Sequence, residues 1–424
     1  MKKLSFLFCS LLAGLFTAQA QEYLEVSFGT SYSNMAFFSL DDGETTTMAN
    51  TSWDLAFVTA PGGAGIHLNE AAKSVMAGPI PELRLWLAPT DDFTATIDPA
   101  DLTDSLYNTE ISWEDGAFNS VKDPGTPDDY GWGLYDSGSG VIEGNRVFAL
   151  QLRDGAWKKL QILALIDGVY TLKYADLDGA NEVTGDIDKA DYADTPLVLF
   201  SFTTGQAFAA PANWDLLFTR YRDALSTGDE TVQYPVTGVL NAPGLEVAEA
   251  RDINPLDVDY LPYLDSLETE LDVIGQDWKY FDLTNFVWVI DLTRAYFIKL
   301  PDEHLWQVFF LDFEGSGTGV TLLGKTDLGS LSSIDDPESN FSSAGLFPNP
   351  AQGQFTVSFS LKNRQERLPL TLLDQLGRIV WRTEIVGQSG LNVLQVPIGN
   401  LPTGLYRLVL GQGRDRWASP VVVE

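Results

Sequence analysis

The chain is poor in the residues that carry most soft-metal and nucleophilic chemistry: of its 424 residues, one is cysteine, two are histidine and four are methionine. Cys9 lies in the N-terminal apolar run 4–16. A mature chain without that run has no thiol, which excludes disulfides, thiolate metal sites and cysteine nucleophiles. Cations are scarce as well, with 26 Lys and Arg against 59 Asp and Glu and a formal net charge of −33. Such a surface repels phosphate backbones, so nucleic acid is not an expected partner. No apolar run is long enough to span a bilayer. Residues 4–16 instead follow Met1-Lys2-Lys3 and precede Ala18-Gln19-Ala20, the pattern of a signal peptide cleaved before Gln21. A mature chain with no transmembrane segment is expected.

What is abundant is core-forming material, 45% hydrophobic and 12% aromatic, ample for packed domains rather than disorder. Catalytic signatures are missing: there is no His-Glu-x-x-His, nucleophile-elbow serine or phosphate-cradling glycine loop. With 59 acidic residues, a carboxylate pair has no diagnostic value. The expectation is a protein that is not an enzyme.

An internal duplication is legible. Ala36 to Gly43, an apolar strand running into a turn, is followed by Ser52-Trp53-Asp54-Leu55-Ala56-Phe57. The same order recurs at Val198 to Gly205 and Asn213-Trp214-Asp215-Leu216-Leu217-Phe218, with the two Trp-Asp pairs 161 residues apart. Later, Arg146 to Leu150 and Trp157-Lys158-Lys159-Leu160 are matched by Arg294 to Ile298 and Trp306-Gln307-Val308-Phe309. Alternating apolar positions around turns such as Asp154-Gly155 predict β-hairpins. Trp53 and Trp214 are expected as core anchors, with Asp54 and Asp215 turned away or accepting local backbone bonds. A short helix is predicted at 68–76. The copies are placed at 21–185 and 186–330.

Residues 331–344 read as a Ser/Asp linker, and 345–424 as a small sandwich of short strands. The whole predicts an all-β protein: two tandem β-rich domains and a small Ig-like β-sandwich.

Phe347-Pro348-Asn349-Pro350-Ala351, Asp374 to Val380 and Leu401-Pro402-Thr403-Gly404-Leu405-Tyr406-Arg407 together resemble the C-terminal sorting domain of the type IX secretion system of Bacteroidetes. The resemblance implies export by that machinery to the medium or the outer-membrane surface. The strand-turn pattern before each Trp-Asp pair, Asn69 and Asn241, the strand at Trp157 and Ala175-Asp176-Leu177-Asp178-Gly179 resemble the HmuY-like haem-capturing family. That resemblance implies haem, for which His67, Met76 and His304 are the candidate ligands. Neither copy has two histidines, so the family's histidine pair is absent. Asp176, Asp178, Asn181, Asp186 and Asp188 form an acidic loop that would suit calcium, though the spacing is not that of an EF-hand. Two functions follow as expectations. One is a non-catalytic surface binding protein capturing haem or another small ligand. The other is a structural or adhesive protein contacting protein or glycan.

Overall fold

The computed structural model describes residues 21–71, 82–226, 228, 230–331, 340–374, 378–399, 401–412 and 415–423. The expected signal peptide, Met76, the larger part of the expected 68–76 helix, most of the expected linker and part of the Asp374 to Val380 motif lie outside them. The protein is all-β, with antiparallel sheets throughout the body and, among the described residues, only short 3-10 turns besides. Among the described residues no helix is long and apolar enough to cross a membrane. The chain divides into a body, Met1–Pro301 with Leu305–Leu328, and a tail unit, Gly329–Glu424 with Asp302–His304.

The body is built by exchange of strands between the two copies. Strand Asn34–Phe38 of copy one pairs with Leu216–Ser226 of copy two, and Leu55–Val58 of copy one pairs with Leu197–Ser201 of copy two. The registers match: Phe38 opposes Leu216 and Phe37 opposes Leu217, as Phe200 opposes Leu55 and Leu199 opposes Ala56. Leu55–Val58 and Leu197–Ser201 are buried along their whole length, the mark of strands covered on both faces. Alternation then sends Leu55, Phe57, Val198 and Phe200 into a core with Phe148, Leu160 and Tyr170. Ala56, Val58, Leu197 and Leu199 face a second core with Trp214, Phe218, Tyr296 and Phe310.

The same exchange closes the two larger sheets. Val183–Asp188, which leads into copy two, is the edge strand of copy one's sheet beside Val169–Ala175. Gln21–Ser27, which leads into copy one, pairs with Val320–Ser330 at the end of copy two. The boundary placed at 185/186 therefore falls inside a strand, and sheets rather than sequence halves are the structural units.

Two details differ from the sequence reading. Asp54 and Asp215 accept backbone bonds, but from the opposite copy: Phe202 N–H donates to Asp54 at 2.7 Å and Leu40 N–H to Asp215 at 2.6 Å. Trp157 and Trp306 are not equivalent. Phe148 opposes Leu160 as Tyr296 opposes Val308, which aligns Trp157 with Leu305 and Trp306 with Lys158. One residue of slip turns a side chain to the other face. Trp306 is thus in the core, while Trp157 packs on Trp86 in an outer cluster, ring centroids 5.1 Å apart. Trp53 and Trp214 are both buried core anchors.

The tail unit wraps seven strands around a core containing Phe355, Phe359, Leu370, Leu408 and Val421. Asn349 of the entry motif accepts from Val422 N–H at 2.7 Å and donates to the Pro420 carbonyl at 3.1 Å, tying the first strand of the unit to its last. Tyr406 donates to the Pro402 carbonyl at 2.8 Å.

Candidate functional site

Of the described residues expected to bind haem, His67 lines an internal cavity whose lining does not include His304. His67 stands in strand Ile66–Leu68, opposite Ala56; Leu240, opposite Leu217, occupies the equivalent place in copy two. It lines a cavity of about 60 Å³ between the copies, together with Met35, Trp53, Glu70, Trp113 and Tyr221. Pockets for ligands of drug size run to several hundred Å³ (roughly 300–1,000). The imidazole lies against Trp113 with centroids 4.8 Å apart, and its Nε2 is 2.7 Å from the Trp113 carbonyl. A carbonyl only accepts, so Nε2 carries the proton and is engaged. Burial pushes the ring's pKa down to about 4, leaving it neutral at physiological pH. The thioether in the same wall is that of Met35, already 3.2 Å from Trp53 Nε1. His304 opens strand His304–Phe313, its amide bonded to Asp302. Met76 lies outside the described residues.

Two further groups in the cavity had no signature in the sequence. Glu70 accepts from the amides of Asn108 at 2.9 Å and Arg222 at 3.2 Å. Burial pushes its carboxyl up to about 7, against the pull of those bonds. Tyr221 has a buried hydroxyl without a hydrogen-bond partner, and burial holds its pKa well above the usual phenol value. The wall draws on residues from 35 to 271, brought together only by strand exchange.

The five acidic-loop residues are each occupied locally. Asp176 pairs with Lys158 at 2.6 Å and accepts from Asn181 at 2.6 Å. Asp178 accepts from Ala180 N–H at 2.9 Å, Asp186 from Thr171 at 2.7 Å, and Asp188 caps a 3-10 turn through Ala190 N–H at 2.9 Å. They run along one hairpin and its exit, and among the described residues no three His, Cys, Asp or Glu side chains converge as a metal site.

One difference between the copies is a hairpin. In copy one, Gly133–Asp136 and Val141–Gly144 form a hairpin whose second strand joins the main sheet through Glu143–Ala164 and Ile142–Leu165 pairing. In copy two, Lys279–Asp282 and Val287–Ile290 form a separate two-stranded sheet. Both hairpins turn in four residues, and in both the aspartate at the end of the first strand accepts the amide two residues on, at 2.9 Å for Asp136 and 2.7 Å for Asp282. The copy-one loop is Ser137-Gly138-Ser139-Gly140; the copy-two loop is Leu283-Thr284-Asn285-Phe286. Gly140 has φ +74° and Phe286 φ +54°, so a phenylalanine holds the left-handed position that glycine fills in its sibling. Leu283 and Phe286 are each 77% exposed, and Tyr280, Phe281 and Val287 are exposed beside them.

At the hairpin's base, Lys279 Nζ donates to the Thr237 carbonyl at 2.6 Å. It lies 4.1 Å from the Trp278 ring centroid, 4.9 Å from that of Phe313 and 5.6 Å from that of Trp288. Burial pushes this ammonium down to about 7. The lysine and its aromatic enclosure fix the hairpin to the body while its apolar tip stays in solvent. The pairing of the two hairpins escaped sequence reading because Asp129 and Trp132 are separated by two residues, whereas Asp277 and Trp278 are adjacent. Arg146 and Arg294 mark the equivalence, bonding Asp129 and Asp277 respectively at 2.8 Å.

Residues 345–424 match the family model for the secretion system C-terminal sorting domain. The protein is therefore a type IX secretion substrate, secreted or held at the outer-membrane surface. No curated protein matches the chain. Among solved structures, dimeric latent PorU from Porphyromonas gingivalis aligns at 9% identity and TM-score 0.18, over 95% of this chain and 34% of that one. Escherichia coli alpha-2-macroglobulin activated by porcine elastase aligns at 9% identity and TM-score 0.16, again over 95% and 34%. The chain spans about a third of the length of each, and neither superposition defines a common fold.

Proposed function

We propose that the mature protein is a non-catalytic surface binding protein that engages a macromolecular partner through the 279–290 hairpin. This favours the adhesive reading over capture of haem by an HmuY-like pocket. The carrying observation is the contrast between the two tips. A strained, 77% exposed Phe286 occupies a turn that the sibling copy builds from serine and glycine alone. Exposed apolar side chains scattered singly need no explanation, but a contiguous group on a protruding element marks a contact site.

The test is to replace the copy-two tip by that of copy one: Leu283→Ser, Thr284→Gly, Asn285→Ser and Phe286→Gly together. Beads carrying the mature protein should attach to protein- or glycan-coated surfaces, and beads carrying the swapped protein should not. Equal attachment would end this reading. Haem titration should give only the broad Soret band of free haem; a shifted, sharpened band lost in His67→Ala would restore haem capture in its place.

A further inference from the structure

The charge around the hairpin narrows the partner, and this step rests on the hairpin being the binding element. Its one cation, Lys279, is buried in its aromatic enclosure. Asp282 lies at the turn, and Asp312 and Glu314 flank Phe313, whose ring is 5.0 Å from that of Trp288 in the hairpin. The carboxylates of these three residues accept bonds from neighbouring amides or hydroxyls, from Thr284 and Asn285, from Phe313, and from Thr318 respectively. Among the described residues none of the three is in an ion pair. Arg251 and Arg294 are consumed by Asp277, Glu249 and Asp291. The tip is thus apolar, and its acidic collar is Asp282 at the turn together with Asp312 and Glu314, which neighbour in sequence the phenylalanine packed on the hairpin's Trp288.

We infer that the partner is a protein presenting an apolar socket rimmed by Lys or Arg. Charge of opposite sign at the rim steers encounter, and the aromatic and aliphatic tip supplies the desolvated anchor. A second copy of this chain is the wrong occupant, because two such collars repel and each chain carries a net charge of −33. A bilayer of anionic lipid is disfavoured on the same ground.

The experiment uses the mature protein and two immobilised probes, an alternating Lys–Leu peptide and its Glu–Leu counterpart, with anionic and zwitterionic vesicles as further arms. The Lys–Leu peptide should bind, should weaken as salt is raised, and should lose roughly tenfold or more with the four-residue tip swap, the size of a truncated interface anchor. Asp282 supports the turn, so the collar is tested by Asp312→Asn with Glu314→Gln, which should weaken binding and flatten the salt dependence while the tip is intact. Tip-dependent binding of the Glu–Leu peptide, or of zwitterionic vesicles, would overturn the cationic-protein inference and leave the hairpin reading standing. Lys–Leu binding unchanged by the tip swap would overturn both. A dimer in sedimentation that dissociates on the tip swap would assign the patch to self-association and overturn the inference. The swapped loop already folds in copy one; Phe286→Asn alone is the second variant, since asparagine tolerates the left-handed conformation.

Discussion

Removing the carboxylate of Asp215 or Asp54 tests strand exchange directly. Each accepts a buried backbone N–H from the opposite copy, Leu40 at 2.6 Å and Phe202 at 2.7 Å, just past the strand with which its own strand pairs. Alanine leaves that N–H without an acceptor, a loss of about 1–3 kcal/mol for a buried group. For a body of this size, ~2 kcal/mol lowers the melting temperature by roughly 3 °C. Asparagine keeps an acceptor oxygen without the charge. Burial raises the pKa of Asp54, against the Phe202 bond that lowers it, so the folded state binds this proton more tightly than the unfolded chain. Its contribution is present below the unfolded pKa and declines as pH rises through the folded one. Asp54→Asn should therefore be far milder than Asp54→Ala at pH 7. The assay is thermal unfolding of the mature protein by near-ultraviolet circular dichroism. Since each aspartate holds the other copy's backbone, either alanine should lower one cooperative transition of the body, and the pair should sum, having no common partner. A split transition in which only one copy melts early would refute the exchange argument, as would alanine variants as stable as the parent.

His67 is neutral when buried, its pKa lowered from 6.5 to about 4, so its contribution is full above pH 6.5 and is lost as pH falls toward 4; His67→Gln should flatten the melting temperature between those values. Glu70 has the opposite sign, raised to about 7, so stability declines as pH rises through 7. The change in melting temperature on Glu70→Gln should accordingly be more favourable at pH 8 than at pH 5, and a change independent of pH would contradict its burial as a carboxyl. A β-carbon at Gly65 would lie 1.9 Å from the Trp113 carbonyl, so Gly65→Ala should destabilise by about 1–3 kcal/mol in denaturant titration and disturb the His67–Trp113 bond. Truncation after residue 330 removes the sorting domain; the truncated protein should accumulate inside the outer membrane and keep the melting transition of the body.

The sequence made strand content, turn positions and the sorting motifs legible because each is local: alternation, Asp-Gly turns and short fixed spacings. Partner choice is not local. Nothing in Trp53-Asp54-Leu55 says that its aspartate will hold Phe202 rather than a neighbour in its own copy, since both copies present the same apolar pattern and periodicity cannot rank the two pairings. The Trp157–Trp306 match failed for a related reason. An indole is conspicuous in a sequence, but the arginines at 146 and 294 set the register, and counting from them puts Trp306 one residue away. The acidic loop was visible as composition, and composition does not reveal that Lys158, Thr171 and local amides already occupy its oxygens.

Because one chain holds two copies of the same scaffold, each copy is a control for the other, and departures from their common pattern locate selection for something other than folding. In the cavity the departures remove symmetry: His67 faces Leu240 across the repeat relation, and Glu70 and Trp113 come from copy one while Tyr221 comes from copy two. The cavity is therefore an asymmetric feature to which both copies contribute different side chains. At the hairpins the departure runs against stability, placing a phenylalanine where glycine is free of strain and water would favour serine. A left-handed conformation costs a bulky L-residue about 1–2 kcal/mol. The tip swap should thus raise the melting temperature while abolishing attachment. That combination separates a surface kept for contact from one kept for packing, since loss of a packing residue would lower both.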